Sequence, residues 1–171
     1  MKELIRTIPD YPKAGIQYRD ITPLLKDPNG FRECIEQMAT RYINQPIDRI
    51  AALESRGFIF GSALSYKLKK GFIPIRKPGK LPGHKIGYDY DLEYGTDRIE
   101  IHTDAITPGE KILLVDDLLA TGGTAEAACH LISQTGGHIV ECCFAIELPA
   151  IGGRTRLETG GHAVFSLWTF E

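Results

Sequence analysis

The chain has 171 residues, of which 43% are hydrophobic and 25% charged, with a formal net charge of −2. That length suits one domain with a single substantial core, and near-neutral charge argues against a nucleic acid or a membrane surface as the main partner. No apolar run approaches the roughly 18 residues that a membrane helix needs, and residues 1–6 carry no apolar signal core.

The first 25 or so residues do not fit a strand–helix rhythm and are expected to form a small cap over strand ends. Asp27-Pro28-Asn29-Gly30 signals a turn or a helix start. After it, Phe31, Ile35, Met38 and Tyr42 recur at helical spacing, so an amphipathic helix is expected through Ile43. Residues 48–53 read as a strand ending at Glu54-Ser55-Arg56-Gly57, and residues 58–69 as the next helix. Residues 72–75 form a short strand whose Pro74 places it near an edge.

Residues 78–97 are rich in Gly, Pro, Asp and Tyr and flank extended pieces at 88–90 and 98–102. Alternation in the second piece suits an antiparallel ribbon with one wet face. Residues 78–102 therefore read as a flexible antiparallel lid. A buried strand is expected at 112–115, a helix through roughly 123–135, and strands at 139–146 and 163–168. Residues 151–161, with four glycines and two arginines, read as a surface loop. Strands alternating with helices imply an α/β fold, a mostly parallel twisted sheet flanked by helices on both faces.

Residues 111–124 say most about chemistry. Ile112 to Val115 suit a strand buried on both faces, and Asp116 and Asp117 sit at its carboxyl end. Ala120-Thr121-Gly122-Gly123-Thr124 follows, then a helix-forming run. The glycines let backbone N–H groups approach a phosphate, and the helix N-terminus adds partial positive charge. The carboxylates cannot favour the phosphate, so they hold sugar hydroxyls or a divalent cation. A phosphorylated sugar satisfies both ends. The run is not a nucleoside-triphosphate P-loop, because no Lys follows the glycines, and the chain has no Gly-x-Gly-x-x-Gly fingerprint.

Open α/β sheets bind ligands beyond the carboxyl ends of their strands. Glu54-Ser55-Arg56-Gly57, Arg76-Lys77 and Asp116-Asp117 all lie at such ends and are expected to converge. Together they offer two anion sites flanking a polyol site. The four cysteines, Cys34, Cys129, Cys142 and Cys143, lack metal-ligand spacing and read as reduced thiols of a cytoplasmic protein. Cys142 and Cys143 are neighbours in a strand and should face opposite ways.

Residues 111–124 resemble the phosphoribosyl-pyrophosphate (PRPP) motif of the type I phosphoribosyltransferases. Further segments resemble the adenine branch of that family: Ile8-Pro9-Asp10-Tyr11-Pro12, Tyr18-Arg19-Asp20-Ile21-Thr22-Pro23, Glu54-Ser55-Arg56-Gly57-Phe58, Ile75-Arg76-Lys77-Pro78-Gly79-Lys80 and Leu92-Glu93-Tyr94-Gly95. They stand in family order from about Ile8 to Glu171. The resemblance implies a single phosphoribosyltransferase domain over residues 1–171, with a base-binding cap at about 1–25 and the lid at about 78–102. It also implies Mg²⁺-dependent transfer of phosphoribose from PRPP to adenine N9 in purine salvage, giving AMP and pyrophosphate.

By that resemblance, residues 120–124 hold the 5′-phosphate, and Asp116 and Asp117 accept from the ribose hydroxyls. Ser55, Arg56, Arg76, Lys77 and Lys80 lie on the pyrophosphate side, with Arg56 also counted as catalytic. Glu93 is the acid–base candidate and Tyr94 belongs to the lid. Main-chain groups at Gln17 and Arg19 read the base, with apolar contact from Ile16, Phe58 or Leu118; Gln17 stands where a small apolar residue is expected. No dedicated metal cluster is expected, since Mg²⁺ binds mainly through substrate oxygens. A homodimer is implied, without nucleic-acid or membrane partners. A 6-oxopurine in place of adenine, or a non-catalytic PRPP-sensing regulator, remain the alternatives.

Overall fold

The computed structural model describes residues 1–91 and 95–171. An N-terminal hairpin comes first: β1 (Arg6–Pro9) pairs antiparallel with β2 (Gln17–Asp20). The short helix α1 (Thr22–Lys26) leads into α2 (Pro28–Tyr42). Asp27 caps α2, its side chain accepting from the Gly30 N–H at 2.6 Å, and Pro28 occupies the first turn, where its missing N–H costs nothing.

The βα repeat then runs β3 (Arg49–Leu53), α3 (Arg56–Leu68) and β4 (Gly71–Ile75). A ribbon follows, β5 (Lys85–Asp91) antiparallel to β6 (Thr96–His102). The chain returns to the sheet with β7 (Lys111–Leu119), α4 (Gly123–Gln134), β8 (His138–Glu147), α5 (Gly153–Thr159) and β9 (Val164–Thr169).

The five-stranded sheet is parallel throughout, in the order β4-β3-β7-β8-β9. Pro74 lies on edge strand β4, which has one neighbour, so its missing N–H breaks no second ladder. Central β7 alternates between two cores. Ile112 and Leu114 pack with α4 and the ribbon, whereas Leu113 and Val115 pack with α2 and α3. Cys142 and Cys143 divide between these layers in the same way, and all four cysteines are free and buried. None of the described helices is long and apolar enough to cross a membrane.

Two expectations need correction. The central strand does not stop before the acidic pair: it runs through Asp116 and Asp117 to Leu119. The ten-residue β8 continues alongside, pairing Asp116 with Phe144 and Leu119 with Glu147, so the ladder is satisfied beyond the apolar run. Residues 151–161 are not simply a surface loop, because Gly153–Thr159 form α5. So short and glycine-flanked a helix has little intrinsic stability, and tertiary contacts hold it. Leu157 is fully buried, and Arg154 pairs with buried Glu147 at 2.6 Å while donating to the Val164 carbonyl at 2.9 Å. Leu157→Ala should therefore cost about 2–5 kcal/mol, read as a lower urea midpoint with an unchanged denaturant slope.

Candidate active site

β7 ends at the loop of residues 120–124, from which α4 departs. Gly122 caps α4 with a φ of +79°, a left-handed conformation that glycine adopts without steric cost. It also lies against α5: a Cβ on Gly122 would stand 2.9 Å from the Gly153 carbonyl oxygen. Gly153 in turn donates its N–H to the Ala120 carbonyl at 3.0 Å, and a Cβ on Gly153 would meet that oxygen at 2.3 Å. The loop is thus clamped by backbone on backbone, a role for Gly153 that the local sequence pattern did not expose. Residues 120–124 and Asp116 line a cavity of about 100 Å³, several times the roughly 30 Å³ that a water molecule occupies in liquid. The N-terminus of the 12-residue α4 borders it, so the cradle favours an anion.

The acidic pair forms the next wall. Asp117 is buried, and its Oδ2 lies 2.7 Å from Arg56 Nε yet makes no aligned hydrogen bond. The interaction is one of charge. Asp116 Oδ1 accepts from the Asp117 N–H at 2.9 Å. Burial, and then the adjacent Asp117 charge, push the Asp116 carboxyl well above the ordinary range. Burial raises Asp117 as well, with the Arg56 charge opposing it. The first turn of α3 lies directly on this pair: a Cβ on Gly57 would stand 2.6 Å from Asp116 Oδ1.

Arg56 joins the acidic pair to the hairpin, donating from Nη1 to the Tyr18 hydroxyl at 2.5 Å. Ser55 precedes it at the start of α3, after a cis Glu54–Ser55 peptide, with no side-chain capping bond. Glu54 gathers the next cations. Its carboxylate accepts from Arg76 at 3.1 and 3.3 Å and from the Lys77 N–H at 2.9 Å. Burial works against the Glu54 charge, but those bonds outweigh it and the pKa is lowered. Arg76 also donates to the Lys80 carbonyl at 3.1 Å. Lys77 reaches the ribbon, donating to the Tyr90 hydroxyl at 3.0 Å and pairing with Asp97. The Tyr90 hydroxyl also accepts from Thr124 Oγ1 at 3.1 Å.

The three strand-end motifs therefore converge, while the expected base-pocket residues divide. Phe58 packs edge-on against Phe72 at 5.5 Å, with the Arg76 guanidinium 6.0 Å from its ring. Leu118 borders the loop cavity. Ile16, Gln17 and Arg19 instead line a separate cavity of about 300 Å³ with Leu148 and Phe170. Arg19 donates to the Glu171 carbonyl at 2.7 Å and covers the Phe170 ring at 4.7 Å. Strand alternation explains the division, since neighbours on β2 point to opposite faces. Tyr18 is thus the hairpin side chain that meets Arg56. Tyr18 is not among the expected site residues: alternation sets it on the face opposite Gln17 and Arg19 but does not say which face meets Arg56. Glu93 and Tyr94 lie outside the described residues.

A parallel sheet carrying an anion cradle, an acidic pair and a bank of cations at its strand ends defines a phosphoribosyltransferase-type domain, and the family model described as phosphoribosyl transferase domain matches residues 21–156. An adenine phosphoribosyltransferase of Methylobacillus flagellatus is 58% identical over 171 residues, covering 100% of this chain and 97% of that protein. The crystal structure of the adenine phosphoribosyltransferase of Thermoanaerobacter pseudethanolicus superposes with a TM-score of 0.95 at 48% identity, over 99% of this chain and 97% of the other. The Saccharomyces cerevisiae enzyme, complexed with an imino-altritol bisphosphate and adenine, gives a TM-score of 0.91 at 38% identity, over 98% and 96%. The chain belongs to the adenine phosphoribosyltransferase family.

The raised Asp116 pKa sets a direction for stability. A carboxyl whose folded pKa lies above its unfolded value contributes stability that is fully present below the unfolded pKa and lost as pH rises through the folded one. Asp116→Asn removes that loss. The variant should melt higher than the parent at about pH 8, and the two curves should converge below about pH 3, where aspartate is largely neutral even in the unfolded chain.

Proposed function

We propose that the protein transfers the 5-phosphoribosyl group of PRPP to N9 of adenine, releasing pyrophosphate and forming AMP in purine salvage. The observation that carries this reading is the Asp116–Asp117 pair, half-buried and buried respectively, set between the 120–124 cradle and the cations of Arg56, Arg76 and Lys77. That order, anion site, hydroxyl acceptors, anion site, matches a sugar bearing a 5′-phosphate and a 1-pyrophosphate.

In this reading, backbone N–H groups of residues 120–124 and the hydroxyls of Thr121 and Thr124 hold the 5′-phosphate. Asp116 and Asp117 accept from the ribose 2′- and 3′-hydroxyls, a reading supported by Asp116 lining the cradle cavity. Ser55, Arg56, Arg76, Lys77 and Lys80 face the pyrophosphate. Main-chain groups of Gln17 and Arg19 read the adenine edge. Support comes from β2 having a single strand neighbour, which leaves its other edge without a ladder. The Tyr18 ring, together with Ile16, Phe58 and Leu118, supplies apolar surface, and residues 78–102 act as the lid.

As the reaction proceeds, the bond from ribose C1 to the pyrophosphate oxygen breaks, the N9–C1 bond forms, and adenine gives up its N9 proton. Negative charge grows on the leaving oxygens while the ribose becomes cation-like. Fixed guanidinium and ammonium groups stabilise that leaving charge best when water is excluded. Glu93 is assigned the exchange of the base's proton, by family likeness. Among the described residues no cluster of three or more His, Cys, Asp or Glu could hold a metal. Mg²⁺ would be carried mainly by substrate oxygens, with the Asp116 and Asp117 carboxylates as protein donors beside it. When bound, the ion would add positive charge beside the pyrophosphate. A cytoplasmic homodimer is the assembly proposed, again by family likeness.

The decisive assay follows AMP and pyrophosphate from labelled adenine, PRPP and Mg²⁺, with hypoxanthine, guanine and xanthine in parallel. Adenine alone should be consumed, and Glu93→Gln should lower kcat by about 10²-fold or more. Product from a 6-oxopurine but not adenine would overturn the base assignment. Measured PRPP binding with no base consumed would overturn catalysis and favour a PRPP sensor.

A further inference from the structure

Lys77 does not project freely into the proposed pyrophosphate side. It is paired with Asp97 of β6, and both members of the pair are fixed by other groups. Asp97 Oδ1 accepts from the Arg98 N–H at 2.7 Å, and Oδ2 accepts from the Tyr90 hydroxyl at 3.1 Å. Tyr90 and Asp97 are directly opposite each other across the ribbon. The Tyr90 hydroxyl is saturated: it donates to Asp97 and accepts from Lys77 and from Thr124 of the phosphate cradle.

Backbone bonds hold the two partners in register. The Arg76 N–H donates to the Glu100 carbonyl at 2.9 Å and the Glu100 N–H to the Arg76 carbonyl at 2.7 Å, joining the segment after β4 to β6. Burial opposes the charge on each partner. Even so, their mutual contact and the Tyr90 bonds leave the Lys77 pKa raised and the Asp97 pKa lowered, so the pair is fully ionic at neutral pH.

We infer that Asp97 is an internal rival of the pyrophosphoryl anion for Lys77, a positioning residue that holds the ammonium on the ribbon and weakens pyrophosphate binding. Asp97 does not join the reacting atoms. It sets how much of the Lys77 charge an incoming polyanion can use, because that anion must displace or share a carboxylate already bonded to the ammonium. It also adds a negative charge close to where the leaving group's charge develops. The inference rests on the proposed pyrophosphate-side role of Lys77.

The test is calorimetric titration of the full-length protein with inorganic pyrophosphate and, separately, with AMP, which carries no pyrophosphate. Asp97→Asn removes the charge and should bind pyrophosphate about two- to fivefold more tightly, the range expected for a partly exposed ion pair. AMP affinity should stay at the parental value, and Asp97→Glu should restore parental pyrophosphate affinity. Asp97→Ser, a second charge-removing variant with different packing, should reproduce the gain. In a Lys77→Ala background, which should itself weaken pyrophosphate binding, the gain should vanish. Unchanged or weaker pyrophosphate binding in the charge-removing variants, while Lys77→Ala still weakens it, would overturn the inference and leave the Lys77 assignment standing. Lys77→Ala without effect on pyrophosphate would instead remove the assignment on which the inference rests.

Discussion

Arg56 stands 2.7 Å from the buried Asp117 carboxylate, which shares the end of the central strand with Asp116. Neighbouring carboxylates taken out of water are costly unless charge and hydrogen bonds compensate them. Much of the surrounding geometry follows from that requirement. α3 must begin on top of the pair, and only a residue without Cβ leaves Asp116 its space at position 57. Arg56 must then follow directly from β3 through Glu54 and Ser55. Its far nitrogen reaches Tyr18, so the N-terminal hairpin is drawn to the same place.

The remaining cations obey the same logic. Arg76 is held by Glu54 and Lys77 by Asp97, each pair joining segments distant in sequence. An uncompensated bank of guanidinium and ammonium groups would repel itself. Pairing Arg76 and Lys77 with carboxylates offsets that repulsion.

The phosphate cradle shows how a short helix can serve a site it does not line. α5 carries Gly153, whose backbone abuts Gly122 and bonds Ala120, and α5 is itself anchored by Leu157 in the core and by Arg154 on Glu147. Residues 151–161 looked like a loop because their glycines and arginines carry no helical periodicity long enough to read. The helix exists because β8, β9 and the cradle give it partners. Likewise, β7 outran its apolar stretch because β8 kept supplying ladder bonds past Asp116.

Local pattern by itself determined the strand–helix rhythm, the two-sided burial of β7, and the adjacency of Asp116, Asp117 and the 120–124 loop. Each of these depends on residues near one another in the chain: alternation, turn chemistry and the approach of backbone allowed by glycine. Only the tertiary structure decided which cation meets which carboxylate, that Tyr18 rather than Gln17 or Arg19 turns to Arg56, and that Lys77 is bound to the ribbon. Those contacts depend on the spatial order β4-β3-β7-β8-β9 and on the docking of hairpin and ribbon over its carboxyl ends. Their free energy comes from groups tens of residues apart, which no local periodicity records.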